Sequence, residues 1–230
     1  MLILALDTTT RTGSVAIVAD GAIVYERHGD ASSTHAQRLP GDIDRACRAA
    51  SIDIAQVELY AVAAGPGSFT GLRIGIAAVQ GLAMARARRV VPVSTLEALA
   101  AASGASRTAA WLDAQRGEVF AQVFERSHPA GSVEARTTPI SAAPGPAIEV
   151  QAGDLDGAVF HGDGALRFRD VIRARLGSAV EIVDPVRPLA GAIGKLAHDH
   201  PERAVAPHAI MPIYVRRPDA ELARDRRSGA

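Results

Sequence analysis

The sequence predicts an α/β protein built from two related β-meander-plus-helix modules, of which the second is reduced. The first observation is an apolar run that ends in an acid and continues through a turn into a second apolar run, LALDTTTRTGSVAIV. The second observation is a similar segment more than a hundred residues later, AWLDAQRGEVFAQVF, in which Asp113 matches Asp7 and Gly117 matches Gly13. A repeated order of strand, acid, turn and strand favours an internal duplication.

The composition is that of an ordinary globular protein without a strong charge. Of the 230 residues, 48% are hydrophobic and 22% charged, and the formal net charge is +0. A protein that holds RNA by itself usually has a basic field, so an RNA contact here needs a local patch or a partner. The single cysteine, Cys47, excludes an internal disulfide framework and fits a reducing cytosol.

We expect the chain to divide into two modules and a tail. The first module spans residues 1–102, the second 103–218, and an arginine-rich tail that we expect to be disordered spans 219–230. Because the acid Asp7 interrupts the first apolar run, that run is expected to be a buried strand and not a signal peptide. No window approaches the roughly 20 apolar residues that cross a bilayer, so we expect a cytoplasmic protein with no membrane contact.

Three strands open the first module. Residues 2–7, 15–19 and 22–27 are apolar runs with strand character. The last two are joined by Asp20-Gly21, and an Asp-Gly pair between apolar runs indicates a hairpin because a type I′ turn needs positive φ at both central positions. The three runs therefore predict a meander.

A helix is expected next, over residues 35–50. Leu39, Ile43 and Cys47 recur every four positions and form one apolar stripe. Thr34 precedes the stripe and is a suitable N-cap. This helix is expected to pack on the meander.

A strand over residues 57–63 then leads through a glycine-rich turn into a helix over 69–86. Gly65 and Gly67 allow the backbone to turn sharply, and Ser68 can cap the helix. Two interpretations stay open, a structural turn and an anion site on the first amides of the helix. It is not a Walker loop, because no Gly-Lys-Ser/Thr ends it. A short strand over 90–92 and a helix that Ser94 is expected to cap complete the module.

The helix over 69–86 has a strip of small residues. Gly71, Gly75 and Ala78 are spaced by four and three, and Gly81 follows. A glycine inside a helix costs up to about 1 kcal/mol relative to alanine, so a close neighbour is expected along this strip. That neighbour is either another element of the same chain or a helix of another subunit.

The acid at the end of the first strand has two interpretations. Asp7 with Thr8, Thr9 and Thr10 resembles a phosphate or metal turn, and the alternative is an acid that caps its own turn. Asp113 has the same two interpretations in the second module.

No metal-binding histidine pair is found on the first helix. His35 would need a second histidine one turn further on, and Arg38 and Leu39 stand there. No Gly-x-Ser-x-Gly elbow is present either. We therefore expect no metal and no catalytic residue in this chain.

The second module repeats the meander and is then expected to be less regular. Residues 127–157 are rich in Pro, Gly, Ala and Ser and are expected to be an irregular excursion. We expect strands over 111–113, 119–124 and 212–216, a strand and turn over 159–164, and helices over 165–176 and 189–199. The second half is thus expected to contain fewer regular elements than the first.

Seven segments in order resemble the TsaB (YeaZ) family: ILALDTTT, THAQRL, AAGPGSFTGLRIG, VSTLEALA, WLDAQRGEVF, HGDG and PIYVRR. The resemblance spans most of the chain and is weak over residues 127–157. It implies the actin/hexokinase/Hsp70-like (ASKHA) fold, which agrees with the duplicated module.

The resemblance implies a non-catalytic scaffold, a pseudoenzyme subunit of a tRNA-modifying complex. Such a subunit binds and activates a TsaD-type catalytic subunit, recruits a TsaE-type ATPase and meets tRNA only within the complex. The complex transfers threonylcarbamoyl to the adenosine 3′ of the anticodon. The chain would have no cofactor of its own, with ATP and metal on partner subunits, and would form a heterodimer. Without the partner, the same exposed apolar surface could pair two copies as a two-fold homodimer, and monomer and dimer stay open for the isolated chain.

The resemblance also implies a partner surface on the two first-module helices. The TsaD subunit has a metal-binding His-x-x-x-His on the corresponding helix, where His35 matches the first histidine and Leu39 replaces the second. The expected interface residues are His35, Leu39, Ile43, Cys47, Gly71, Leu72, Gly75, Ala78 and Val79. On this basis Gly75→Leu is expected to block the partner and leave the subunit folded.

Two other functions remain as alternatives. A metal-dependent carbamoyltransferase or protease of the TsaD type would need the second histidine that Leu39 replaces. A small ASKHA-fold kinase would need a second phosphate turn, and WLDAQRGEVF lacks the Thr- and Ser-rich turn expected there.

Overall fold

Two five-stranded sheets form the centre of the protein. The computed structural model describes residues 1–128 and 131–216. The first sheet has the order β3-β2-β1-β4-β5, with β1 to β3 antiparallel and β4 parallel to both β1 and β5. Its strands are β1 (Leu2–Asp7), β2 (Ser14–Ala19), β3 (Ala22–His28), β4 (Leu59–Gly65) and β5 (Arg89–Ser94). The predicted meander is confirmed, and Asp20 and Gly21 both have positive φ, at 48° and 80°.

Three helices follow the first-sheet strands, and each has a side-chain N-cap. They are α1 (His35–Ala49), α2 (Phe69–Ala85) and α3 (Thr95–Ser103). Thr34 forms a capping box at α1, and the hydroxyls of Ser68 and Ser94 accept from backbone amides at the starts of α2 and α3. Apolar side chains of α1 and α2 pack on one face of the first sheet.

The second sheet repeats the pairing of the first. Its strands are β6 (Arg107–Asp113), β7 (Val119–Arg126), β8 (Val133–Ala135), β9 (Ile140–Ala142) and β10 (Val159–His161), and its helices are α4 (Pro144–Gln151), α5 (Asp163–Arg167), α6 (Arg169–Leu176) and α7 (Ala190–Asp199). In each sheet the first strand pairs antiparallel with the next strand and parallel with a later strand on its other side. The predicted duplication is therefore visible in the topology.

Helix α7 crosses from the second half of the chain to the first sheet. The Oγ of Ser14 accepts from the amides of Leu189 and Ala190, at 3.1 and 3.0 Å, and Oε1 of Glu26 accepts from the amide of Gly191 at 2.6 Å. These side chains cap α7 from about 170 residues away in sequence, as N-cap residues do locally. The expected module boundary at residue 102 therefore divides the chain in sequence, but α7 from the second module packs on the sheet of the first.

Four expectations about the second half are wrong. Residues 127–157 contain β8, β9 and α4, because the apolar side chains of Ala147 and Ile148 pack under the second sheet. The helix expected over 165–176 is two helices, broken at Phe168. Residues 212–216 form no strand. In the part of the chain that the structure describes, the second half has as many strands as the first, although three of the strands in the second half are three residues long. The tail expected over 219–230 lies outside the described residues. Among the described residues, no helix is long and apolar enough to span a membrane.

Candidate functional site

The acid at the end of β1 holds the turn that follows it. Asp7 is 2% exposed, and its Oδ1 accepts from the amide of Thr9 at 2.8 Å and from the Thr9 hydroxyl at 2.5 Å. Its Oδ2 lies 3.5 Å from the hydroxyl of Thr10. Burial raises the pKa of Asp7, and the hydrogen bonds from Thr9 oppose that shift. The contacts match the turn-capping interpretation, in which the carboxylate satisfies its own loop.

The N-terminal half of α2 packs directly on this turn. The hydroxyl of Thr8 donates to the carbonyl of Gly71 at 2.7 Å. A Cβ at Gly71 would overlap the carbonyl oxygen of Thr8, and one at Gly75 would overlap the Thr8 hydroxyl. Leu72 and Val79 are 1% and 0% exposed. The expectation that these four residues contact a partner is corrected, because the chain itself already covers them.

The glycine-rich turn after β4 is built around close backbone contacts. Gly65 and Gly67 have φ of 113° and 158°, which favours glycine at both positions. The amide of Ser68 donates to the carbonyl of Thr9 at 2.9 Å, and a Cβ at Gly65 would meet the carbonyl oxygen of Ile213. These contacts support the structural interpretation. Anion binding at this turn stays a prediction.

His35 is engaged through both ring nitrogens. Its Nε2 lies 2.9 Å from the carbonyl of Thr10, and its Nδ1 lies 2.7 Å from Nη2 of Arg38. Because a guanidinium can only donate, Nδ1 must accept and Nε2 must carry the proton. Arg38 also donates to Oδ2 of Asp42 at 2.6 Å and to the carbonyl of Thr12. Burial, and then the charge of Arg38, lower the pKa of His35.

A cleft of about 1080 Å³ opens between the acidic turns of the two modules. Its lining comes from the turn after β1, the start of α2, the turn after β6 and the segment over 213–216. The lining residues include Thr9, Thr10, Arg11, Thr34, His35, Gly67, Ser68, Phe69, Asp113, Arg116, Asp163 and Tyr214. His35, one of the expected interface residues, therefore lines this cleft, and its contact with a partner stays a prediction.

The second module contributes its own pair of acids to the cleft. Asp113 accepts from the amide of Gln115 at 2.9 Å and pairs with Arg167 at 2.5 Å. Asp163 accepts from the amide of Asp113 at 2.9 Å, and burial raises its pKa. Asp113 repeats the turn-capping arrangement of Asp7, as the duplication predicted. Asp163 was missed as a site residue, although the HGDG segment marked its position.

A second concavity, which we call the α1/α2 groove, lies on the outer side of the first module. It has a volume of about 760 Å³. Leu39 and Cys47, 4% and 8% exposed, lie at its floor, and Ile43 and Ala78 are brought beside them as predicted. The remaining lining is largely aliphatic and includes Ala36, Pro40, Ile52, Ile54, Ile74, Ala77, Gly81 and Leu82. A Cβ at Gly81 would meet no atom within 4 Å.

Two sheets with the same pairing around their first strands, α7 packed on the first sheet and a cleft between matching acidic turns define an α/β protein of the actin/hexokinase-like (ASKHA) class. A solved structure titled component A of (R)-2-hydroxyglutaryl-CoA dehydratase from Acidaminococcus fermentans shares this fold. Its TM-score is 0.50 at 11% identity, over 86% of this chain and 98% of that one.

A family model described as "TsaD: tRNA N6-adenosine threonylcarbamoyltransferase" matches residues 27–149. A protein of Escherichia coli K12 named "tRNA threonylcarbamoyladenosine biosynthesis protein TsaB" is 36% identical over 131 residues, which are 55% of this chain and 56% of that protein. The match thus spans about half the length of this curated relative. YeaZ from Pseudomonas aeruginosa superposes with a TM-score of 0.76 at 29% identity, over 93% of this chain and 100% of that one. The chain belongs to the TsaD family and, within it, is of the TsaB/YeaZ type.

Proposed function

We propose that this chain is a non-catalytic subunit that binds and activates a TsaD-type catalytic subunit. The reaction of the complex is threonylcarbamoylation of the adenosine 3′ of the anticodon in tRNA. The name of the Escherichia coli relative supports a role in threonylcarbamoyladenosine biosynthesis. The observation that carries the scaffold role is the aliphatic α1/α2 groove, which the chain's own described residues leave open.

The groove has the chemistry of a helix-docking surface. Its lining is aliphatic, with Asp44, Arg48 and Asp53 at the margin. Apolar surface removed from water contributes roughly 25 cal/mol per Å², so an open aliphatic groove favours association with a complementary apolar helix face. A TsaD-type subunit is the proposed occupant. In the isolated chain a second copy would bind there, giving a two-fold homodimer.

The side chains that could have served catalysis are committed to structure. Both ring nitrogens of His35 have partners, and Leu39 stands where a second histidine would complete a metal pair. Asp7 accepts from Thr9 and supports its own turn. We therefore assign ATP and metal to the partner subunits and no cofactor to this chain. A TsaE-type ATPase and tRNA are proposed as further partners within the complex.

The alternatives make different biochemical predictions. A TsaD-type transferase or protease would act without a separate catalytic subunit, and an ASKHA-fold kinase would bind ATP in the cleft and transfer phosphate. Titration calorimetry with ATP and Mg²⁺ tests the kinase. Under our proposal we expect no saturable binding to the isolated chain, whereas tight binding would favour the kinase.

Reconstitution tests the proposal directly. Unmodified tRNA is incubated with ATP, threonine, bicarbonate and matched TsaC-, TsaD- and TsaE-type proteins, with this chain added or omitted, and threonylcarbamoyladenosine is quantified by mass spectrometry. We expect modification only when the chain is present, and none from the chain alone. Equal modification without the chain, beside active partners, would contradict the proposal.

A further inference from the structure

Two exposed aromatic rings lie against each other at the mouth of the cleft. The sequence has five Phe, three Tyr and one Trp. Of these, Phe69 and Tyr214 are the aromatic residues among the exposed large hydrophobic side chains, at 39% and 42%. Their ring centroids are 5.6 Å apart with the planes tilted by 34°. In a chain with so few aromatic residues, two exposed rings in one place need an explanation.

A guanidinium extends the aromatic pair. The Cζ of Arg73 lies 3.9 Å from the centroid of the Phe69 ring, and Arg73 is exposed. Phe69 and Arg73 are four residues apart on α2, so the helix holds the cation over the ring. Tyr214 comes from the segment after α7, where the amide of Ile213 donates to the carbonyl of Ala64 at 2.7 Å. The three side chains together form what we call the Phe69–Arg73–Tyr214 platform.

Among the described residues that line the cleft beside the platform, Arg11 has an exposed side chain with a positive charge. Of the acids that line it, Asp113 is paired with Arg167, and Asp163 is little exposed, with burial raising its pKa. An anionic partner would therefore meet arginine side chains before it meets a solvated carboxylate.

Exposed rings combined with arginine side chains are typical of surfaces that bind unpaired nucleotides. Every base has a π-face that can stack on an aromatic ring, while arginine contacts the backbone or stacks as well. The α1/α2 groove differs from this surface, since it is lined largely by aliphatic side chains and fits a protein helix. The contrast favours RNA over a second protein at the cleft mouth.

We propose that the Phe69–Arg73–Tyr214 platform stacks an unpaired base of an RNA strand, with Arg11 placed near a flanking phosphate. This inference rests on the proposed function, because a tRNA-modifying complex brings RNA to the chain. It goes further by assigning an RNA contact to a chain whose net charge is +0.

The test is RNA binding by the full chain assembled with a matched TsaD-type subunit. Fluorescence anisotropy follows a labelled RNA hairpin with an unpaired loop and, separately, a blunt RNA duplex with the same stem. We expect Tyr214→Ala to weaken hairpin binding about 10-fold, since a stacked base is typically worth that much or more. Tyr214→Phe keeps the ring and should bind within about twofold of wild type.

A matched control separates stacking from loosening of the segment that carries Tyr214. Arg216 in that segment pairs with Glu118 at 3.1 Å. Glu118→Gln removes this ion pair and keeps the ring and the arginine. We expect its hairpin affinity to stay within about twofold of wild type.

Several results would overturn the platform. For the wild-type complex they are no binding of the hairpin, or equal affinity for the hairpin and the duplex. For the variants they are an unchanged hairpin affinity in Tyr214→Ala, or a loss in Glu118→Gln as large as that in Tyr214→Ala. Displacement of the hairpin by AMP at the same concentration as the RNA would also overturn it. If the wild-type chain is required for tRNA modification but Tyr214→Ala binds normally, the platform is wrong and the scaffold function stands. If Tyr214→Ala loses hairpin affinity but the chain is dispensable for modification, the platform stands and the scaffold function is wrong.

Discussion

Both ends of α2 contain glycine, and the two ends use it differently. Near its start, Gly71 and Gly75 have no room for a Cβ, because Thr8 of the β1 turn fills the space. Near its end, Gly81 has no atom within 4 Å of a Cβ and opens on the α1/α2 groove. A glycine in a helix therefore indicates a close neighbour only where the tertiary structure places one. The predictions below test this difference, beginning with the largest expected effect.

Gly75→Leu is expected to destabilise the fold by about 3 kcal/mol or more, because the side chain must displace Thr8 and break its hydrogen bond to Gly71. This replaces the earlier expectation that the variant stays folded. Thermal and urea unfolding followed by circular dichroism measure the loss. Gly81→Leu in the same helix is the matched control and should unfold at or above the wild-type midpoint. Equal stability of the two variants would remove the distinction between the ends of α2.

Gly81→Leu is expected to weaken association with a TsaD-type subunit more than about 30-fold, equivalent to about 2 kcal/mol. The leucine would project into the α1/α2 groove beside Ala78 and Leu82. Gly81→Ala stabilises the helix in the same way but adds a single carbon, so it should retain most of the affinity. Titration calorimetry with the partner measures both variants. Normal affinity in Gly81→Leu would place the partner elsewhere.

Thr8→Val is expected to destabilise the fold by about 1–2 kcal/mol. It keeps the shape of the side chain but removes the hydroxyl that donates to the buried carbonyl of Gly71. Thr70→Val is the control. Thr70 is exposed on α2, the helix that contains Gly71, so this variant should change stability by less than about 0.5 kcal/mol. Urea unfolding gives both values. A loss no larger than that of the control would show that Thr8 contributes packing alone.

The smallest expected effect is on the pH dependence of stability. It concerns His35, the first residue of α1, whose ring bonds to the turn after β1. Burial lowers the pKa of His35 below its ordinary value of 6.5, so between the folded and unfolded pKa values the folded protein binds fewer protons than the unfolded chain. Its contribution to stability is complete above about pH 6.5 and is lost as the pH falls towards the folded pKa.

We expect His35→Gln to reduce the rise in unfolding free energy between about pH 5 and pH 8. Burial also lowers the pKa of His161, so part of the slope should remain in the variant. Urea midpoints across this range measure the slope. The same slope in wild type and variant would show that His35 titrates alike in the folded and unfolded chains.

The local elements of the first module could be predicted from the sequence because their signals act over a few residues. Thr34, Ser68 and Ser94 cap the helices that they were expected to cap, and Asp20-Gly21 forms the hairpin turn. The apolar stripe of Leu39, Ile43 and Cys47 was expected at an interface and lies in the α1/α2 groove. Whether a partner covers that stripe stays a prediction.

The second module was predicted less well because its short elements depend on packing. Helix α4 has Pro144 at its start and no side-chain cap, so its few local signals were hidden in a segment rich in Pro, Gly and Ala. Its apolar side chains become informative only against the second sheet. At residues 212–216 the opposite error occurred, because an apolar segment with strand character bonds to β4 by a single amide, that of Ile213.

The sequence by itself determined the strand and helix order of the first module, the duplicated acid-and-turn pattern and the resemblance to the TsaB (YeaZ) family. These follow from periodicity, caps and turn residues, which act between near neighbours in the chain. The tertiary structure alone decided that Gly75 packs on Thr8, that Ser14 and Glu26 cap α7, and that Phe69 meets Tyr214 at the cleft. The reason is that each contact joins residues at least 60 positions apart, so it depends on how the sheets and helices pack and leaves no local pattern in the sequence.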